Sequence, residues 1–404
     1  MAAACSQLTP AARPANPPVL NLPPPPSAAD RPSVAQAPLP PPVAPPIAPA
    51  IGAGALPAQP SRNSTAALLL PLSGASAAIG SALFNAAQLA LFEVGGGSFT
   101  LLPFDTKGTP EGAAAAAQQA VAQHAEIIVG PLFSAEARAV APVTRQAGVP
   151  MLAFTTDQTV AGNGVYVLGF LPGPQALRVV AFARSQNRPR LAILAPSDEY
   201  GRTVVDYLSN NAPGQGVSIA QLQFYDPNAT DFTGPIKRLL GPRGEVGFDA
   251  LILPDEGQRL RQVAASLATQ GIDPAQVKLL GTMLWEDSKP ATEPALVGGW
   301  YTAPPVAQHA DFDGRYAKAF GVKPPRLAAL GYDATALAGV VARRSAHDFS
   351  PGVLTNPLGF SGVDGIFRLR PDGTVERGYA VMEVQPVAPP REVDPAPAQF
   401  QAAY

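Results

Sequence analysis

Cysteine is almost absent from this 404-residue chain: Cys5 stands alone, so neither an internal disulfide nor a cysteine-built zinc site can form. Histidine is nearly as scarce, and His124, His309 and His347 are too far apart in sequence to show a metal-ligand spacing. Charged residues make up only 14% and leave a net charge of −2, which gives no overall field for nucleic acid or anionic lipid. No apolar run approaches the roughly 18–20 residues that span a bilayer. Catalytic signatures are lacking too. There is no P-loop, no HExxH and no nucleophile elbow, and Gly95-Gly-Gly97 precedes a strand instead of joining strand to helix. Asp311 and Asp313 lack the rest of a calcium loop and read as a helix start. The expectation is a non-enzyme with no metal and no cofactor.

Proline is abundant, and more than a third of its 48 copies fall before residue 63. Runs such as Pro23–Pro26 and Pro40–Pro42 favour extended polyproline II and supply no core, so residues 1–62 read as a disordered, semi-rigid tether. The small residues before Cys5 resemble the end of a bacterial lipoprotein signal, in which the cysteine carries the lipid. The basic and apolar regions that precede such a cysteine are missing here. Either Cys5 is lipidated, or it is a free thiol in a tail. If lipidated, about fifty extended residues at roughly 3.1 Å each would hold the folded body well over 100 Å from a membrane.

From Thr65 onward, strand and helix alternate. The sharpest unit is Glu126–Asp157. Ile127–Val129 is an apolar run stopped by Gly130-Pro131, Ser134 opens a helical segment, and a second run from Met151 to Phe154 ends in Thr155-Thr156. A connection of that length joins parallel strands by a right-handed crossover, which brings Ser134, Thr155 and Thr156 to the carboxyl edge of one sheet. Open α/β sheets bind ligands there, and three hydroxyls without a strong catalytic group suit binding. A second series of βα units runs from about residue 174. The loop Arg370-Pro-Asp-Gly373 reads as a hairpin turn between Ile366–Leu369 and Tyr379–Val384, and residues after Pro386 read as frayed. The domain reading is a first lobe of residues 63–173 and 302–347, a second of 174–301 and 348–386, and a disordered tail over 387–404.

On Leu69-Leu-Pro-Leu-Ser-Gly74, Val129-Gly-Pro-Leu-Phe-Ser134, Asp198-Glu-Tyr-Gly201, Gln258-Arg-Leu-Arg-Gln262, Gly331-Tyr-Asp-Ala334 and Phe360-Ser-Gly362, the chain resembles the type I periplasmic binding proteins of the Leu/Ile/Val-receptor branch. Within them it looks most like the penicillin-binding-protein activator lipoproteins. The resemblance implies an α/β fold of two Rossmann-like lobes with parallel sheets flanked by helices, three crossovers and an interlobe cleft. It also implies a periplasmic location with an outer-membrane lipid anchor as the only membrane contact. The implied partner is a peptidoglycan synthase of the penicillin-binding-protein class or, in the alternative, an ABC permease for amino acids.

By the same resemblance, Ser134, Thr155 and Thr156 correspond to the hydroxyls that hold a ligand carboxylate, and Tyr200 to a tyrosine covering the ligand from the second lobe. Ser134 as a helix cap, Thr155 and Thr156 as loop residues and Tyr200 as a turn packing on its own lobe are the competing readings. Ser73 and Asp105, at the ends of the first two strands, join the candidate ligand set, with loop capping the competing role for Asp105. The receptors place an acid after the strand that here ends at Gly281, to pair with the ligand ammonium, yet this chain reads Thr282-Met283-Leu284. Glu286 and Asp287 follow; they either substitute or lie in a solvated loop. The small carboxylate or amino-acid site is therefore half present.

Overall fold

The computed structural model describes residues 63–95, 99–345 and 347–400, with the side chain of Asp287 outside that description. Cys5, the Pro-rich tether and the last four residues also lie outside the described residues.

The first lobe opens with β1 (Ser64–Leu70), α1 (Ala77–Ala90) with a π-helical turn over Leu91–Gly95, β2 (Phe99–Asp105), α2 (Pro110–Ala122), β3 (Ile127–Val129), α3 (Ser134–Ala147), β4 (Met151–Ala153) and β5 (Val165–Val167). Its five strands are parallel, in the order β2-β1-β3-β4-β5. β1 is buried along nearly its whole length, as a central strand covered on both faces must be. Local chemistry sets the helix starts. Thr109 accepts from the Gly112 N–H at 3.0 Å and Pro110 occupies the first turn of α2, whose buried face is all alanine. Ala77–Val94 is apolar and long enough to cross a membrane, contrary to the sequence reading. It packs instead through Leu83, Ala86 and Ala87 in the lobe core.

The second lobe comprises α4 (Pro172–Ser185), β6 (Arg190–Pro196), α5 (Glu199–Asn211), β7 (Ser218–Tyr225), α6 (Thr233–Leu239), β8 (Ala250–Ile252), α7 (Gly257–Thr269), β9 (Lys278–Gly281), α8 (Leu284–Asp287) and β10 (Trp300–Ala303). These parallel strands run β10-β9-β8-β6-β7, the same winding as in the first lobe. Alternate residues face alternate layers. Leu194, Leu251 and Leu279 join one core, while Ile193, Ile252 and Leu280 join the other.

The chain then returns to the first lobe with α9 (Val306–Phe320), α10 (Ala328–Arg344), α11 (Pro351–Leu354) and a small antiparallel sheet of β11 (Phe360–Gly362), β12 (Gly365–Leu369) and β13 (Val375–Arg377). α10 lies directly on α1, and a Cβ at Gly331 would sit 2.6 Å from the Leu83 carbonyl oxygen. α9 begins five residues before Asp311, so Asp311 and Asp313 are inside it and not at its start. Finally β14 (Ala380–Glu383) and β15 (Arg391–Asp394) complete the second sheet.

Three expectations need correction. Residues 349–375 supply Phe349, Leu354, Phe367, Leu369 and Val375 to the first lobe's core, not the second's. The Asp-Gly turn pairs β12 with Val375–Arg377, because the ladder closes immediately after the turn. The strand beyond Gly378 leaves to pair antiparallel with β10. The segment after Pro386 is not frayed: β15 pairs with β14, Arg178 bonds Asp394 at 2.7 Å, and Phe400 is buried against the Arg368 guanidinium at 4.6 Å.

The chain passes between lobes at 168–172, 303–306 and 377–380, and a buried charge cluster gathers beside these passages. Arg377 donates to the Leu168 carbonyl at 3.0 Å, lies 4.9 Å over the Phe170 ring and reaches Asp333 at 3.5 Å. Asp333 also accepts from the Val363 N–H at 2.7 Å, and neighbouring Asp364 holds His309 at 2.6 Å. Burial pushes the Asp333 carboxyl up to about 7, helped by Asp364 and opposed by Arg377 and the Val363 N–H.

Candidate functional site

In the order β2-β1-β3, the strand sequence reverses between β1 and β3, so the loops leaving these two strands frame the first lobe's crevice. Ser134 is the first residue of α3, directly after that point. It does not cap its helix: Glu136 accepts from the Phe133 N–H at 3.1 Å instead. The Ser134 hydroxyl meets the Thr155 hydroxyl at 2.7 Å, and Thr155 also accepts from the Asp157 N–H at 3.0 Å. Thr156 is exposed and makes no side-chain hydrogen bond among the described residues, with this pair or otherwise. Two of the three expected hydroxyls thus converge, one half-buried and one buried. One O–H is spent on that mutual bond, and the other is free to donate to a carboxylate.

Asp105 and Ser73 bond to each other. Asp105 accepts from the Ser73 hydroxyl at 2.5 Å and from the N–H groups of Leu72, Ser73 and Lys107 at 2.9, 3.2 and 2.8 Å. Burial alone would raise its carboxyl, but these donors together hold it below the usual carboxylate range. The loops after β1 and β2 are thereby fixed, which is the capping role. Glu136, fully buried, shows the opposite balance. Desolvation pushes it up against hydrogen bonds from Thr106, Phe133 and Leu132.

In the second lobe, the corresponding reversal lies between β6 and β8. Tyr200 leaves β6 on this side, and its hydroxyl shares a 2.8 Å hydrogen bond with Thr282, the residue standing where an acid was expected. Burial, the largest influence, pushes the Tyr200 hydroxyl up, so it remains a neutral phenol. Met283 donates its N–H to Gln175, and Trp285 packs on Gly281 so closely that a Cβ there would lie 2.2 Å from the indole. This tight seat leaves the β9 edge apolar. Glu286 is exposed in the short helix α8, as the solvated reading expects, and pairs with Arg326 of the first lobe.

The acid that is buried at this edge is Asp255, beyond β8, at 1% exposure. Arg259 grips it bidentately with both contacts at 2.7 Å, the Tyr225 hydroxyl donates to it, and the Glu256 N–H reaches it at 2.7 Å. Arg259 additionally donates to the Pro227 carbonyl at 3.0 Å and approaches Asp198 at 3.5 Å. Sequence reasoning missed Arg259, Tyr225 and Arg326. The Asp255–Arg259 spacing of four residues across a strand-to-helix turn was a usable signal; the other two contacts span 30 and 40 residues and leave no local trace.

The profile of the periplasmic binding protein family matches residues 65–388, nearly the whole described body. The chain belongs to the periplasmic binding proteins. Solved structures similar to this periplasmic binding protein share the fold. One is a Rhodospirillum rubrum protein provisionally assigned to branched-chain amino acid ABC transport, 18% identical, with 82% of this chain and 100% of that one covered at a TM-score of 0.72. A second is an ABC transporter substrate-binding protein from Sphaerobacter thermophilus, 17% identical, covering 84% and 99% at 0.66. A third is a Rhodopseudomonas palustris solute-binding protein in complex with 3,4-dihydroxybenzoic acid, 19% identical, covering 85% and 98% at 0.58. Among curated sequences, an uncharacterised protein of Rickettsia prowazekii (strain Madrid E) is 20% identical over 214 residues, which span 51% of this chain and 57% of the relative's length. The fold is that of type I periplasmic binding proteins, with a cleft between two α/β lobes.

Proposed function

We propose that this periplasmic-binding-protein-like chain is a regulatory lipoprotein, anchored through Cys5 and its Pro-rich tether and working by contact with a peptidoglycan synthase of the penicillin-binding-protein class. The observation that carries this reading is the state of the second lobe's crevice edge. Thr282 replaces the ammonium-binding acid and is bonded to Tyr200, while the buried acid nearby, Asp255, is committed to Arg259 and Tyr225. A buried ammonium without a counter-charge costs several kcal/mol, which disfavours delivery of free amino acids. The test is binding and glycan-strand synthesis with the purified full chain and a bifunctional synthase of its own organism. Binding or a changed synthesis rate is expected, and the absence of both overturns the reading.

The Ser134–Thr155 hydroxyl pair favours a second reading, a solute receptor for an ABC permease that takes amino acids or related carboxylates. A ligand of micromolar affinity at millimolar concentration adds about 4 kcal/mol of stability. A thermal-shift series with isoleucine, leucine and 3,4-dihydroxybenzoate measures this directly. A shift that Ser134→Ala abolishes supports the receptor, and flat melting throughout counts against it.

A further inference from the structure

The first sheet has a second edge, opposite the one that carries Ser134 and Thr155. Glu126, Pro150 and Gly164 immediately precede β3, β4 and β5, so in these parallel strands they share the amino edge. β3 and β4 are three residues long, which sets the two edges about 10 Å apart. At the amino edge a cavity of about 510 Å³ opens between the end of α3 and the segment after α10. That volume suits a small organic ligand. Tyr166 and Phe349 wall it, 3% and 7% exposed. The Tyr166 hydroxyl has no hydrogen-bond partner among the described residues, an unmet donor on a nearly buried side chain. Burial pushes this phenol up, so it keeps its proton.

Arg145 and Glu126 line the same cavity, and neither forms an ion pair among the described residues. Arg145 is anchored by Nη2, which donates to the Val160 and Gly162 carbonyls at 2.8 and 3.3 Å, and its Nε and Nη1 have no acceptor among the described residues. Glu126 accepts from the buried Ser64 hydroxyl at 2.7 Å, and the same hydroxyl meets His347 Nδ1. A hydroxyl has one proton, so Ser64 spends it on Glu126 and accepts from the Nδ1–H of His347. In the neutral ring Nε2 is then an acceptor. The cavity thus offers donors on Arg145 and Tyr166 and acceptors on Glu126 and His347, which match a carboxylate and an ammonium. We propose that this cavity is a ligand site separate from the interlobe crevice, taking a small zwitterion with an apolar body, a free amino acid or a dipeptide, with its carboxylate on Arg145 and Tyr166 and its ammonium on Glu126 and His347. It stands whichever reading of the crevice holds.

The test is a nuclear magnetic resonance titration of the full chain, read at the imidazole signals of its three histidines, with phenylalanine and glycylphenylalanine as probes. His347→Gln assigns the reporter. The His347 signals are expected to shift saturably at millimolar probe or below. The N-acetylated and C-amidated forms of the same probes should need at least tenfold more ligand, because each leaves one charged side chain of the cavity without its counterpart. Tyr166→Phe, which removes only the hydroxyl, and Glu126→Gln should each weaken binding at least fivefold. Arg145→Ala should do the same for the free carboxylate, and the C-amidated form should then bind no worse than the free one. The absence of a saturable His347 shift with both probes overturns the proposal. So do blocked forms that bind as tightly as the free ones, and so do folded Tyr166→Phe, Glu126→Gln and Arg145→Ala proteins with unchanged midpoints.

Discussion

Asp333 is walled in by Arg377, Asp364 and the Val363 N–H, and its carboxyl is raised from 3.8 to about 7, mainly by burial. Because the folded state holds this proton more tightly than the unfolded chain, the stability it contributes is complete below about pH 4 and is lost as pH rises through 7. His309, raised above its ordinary 6.5 by Asp364 and Asp313 despite desolvation, adds a loss of the same sign above pH 6.5. Asp333→Asn should therefore flatten the fall in unfolding free energy between pH 4 and 7 in urea melts and leave the His309 portion. An unchanged slope would refute this assignment. At this scale the sequence was half legible. Ser134 and Thr155 meet as the strand-helix-strand spacing implies, because both lie at fixed positions beyond parallel strands. Thr156, one residue further and outside the strand, is exposed and takes no part in that pair. The Tyr200–Thr282 bond joins residues 82 apart, and no periodicity encodes it.

Elements were more legible than residues, since alternation of apolar runs with amphipathic segments is written locally. The failures fall where a strand's partner is distant. Ala380–Glu383 has the same apolar character whether it completes a hairpin or joins β10, and only the closure of the Asp-Gly turn on Val375–Arg377 decides. The Pro/Ala-rich end looked frayed because its pairing partner, β14, covers it with backbone hydrogen bonds that composition does not reveal. Truncation before Arg391 would remove that ladder, the Arg178–Asp394 ion pair and the contact of Phe400 with Arg368. The expected cost is on the order of 2–4 kcal/mol. Denaturant melts measure it, and size-exclusion chromatography should show self-association through the uncovered β14 edge. Full stability after truncation would mean that β15 adds nothing to the sheet.

At the scale of the whole molecule, the fold followed from topology: two series of βα units require two sheets, and the chain must cross between them. Which lobe owned residues 349–375 was not legible, because a short antiparallel sheet satisfies its own backbone and can pack on either side. Glu286 of the second lobe and Arg326 of the first form an ion pair between the lobes, with side chains 35% and 17% exposed. A partly exposed pair contributes about 1 kcal/mol, enough to shift an open–closed equilibrium about fivefold. Arg326→Ala should therefore increase the radius of gyration in small-angle scattering, and Glu286→Gln should do the same. Unchanged profiles for both would remove the pair from any role in closure.

The last described residues alter how that closure works. Past β15 in the second lobe, the chain passes Pro397 beside Gly378 and seats Phe400 against Gly359 and Arg368 of the first. Three spans between the lobes are covalent and permanent; this one is a strap that can lift. Seated, Phe400 adds a non-covalent tie between the lobes to the three covalent ones. Any movement of the second lobe away from Gly359 and Arg368 must either carry Phe400 along or break its seat, so the C-terminal segment is a point from which the spacing of the lobes can be held.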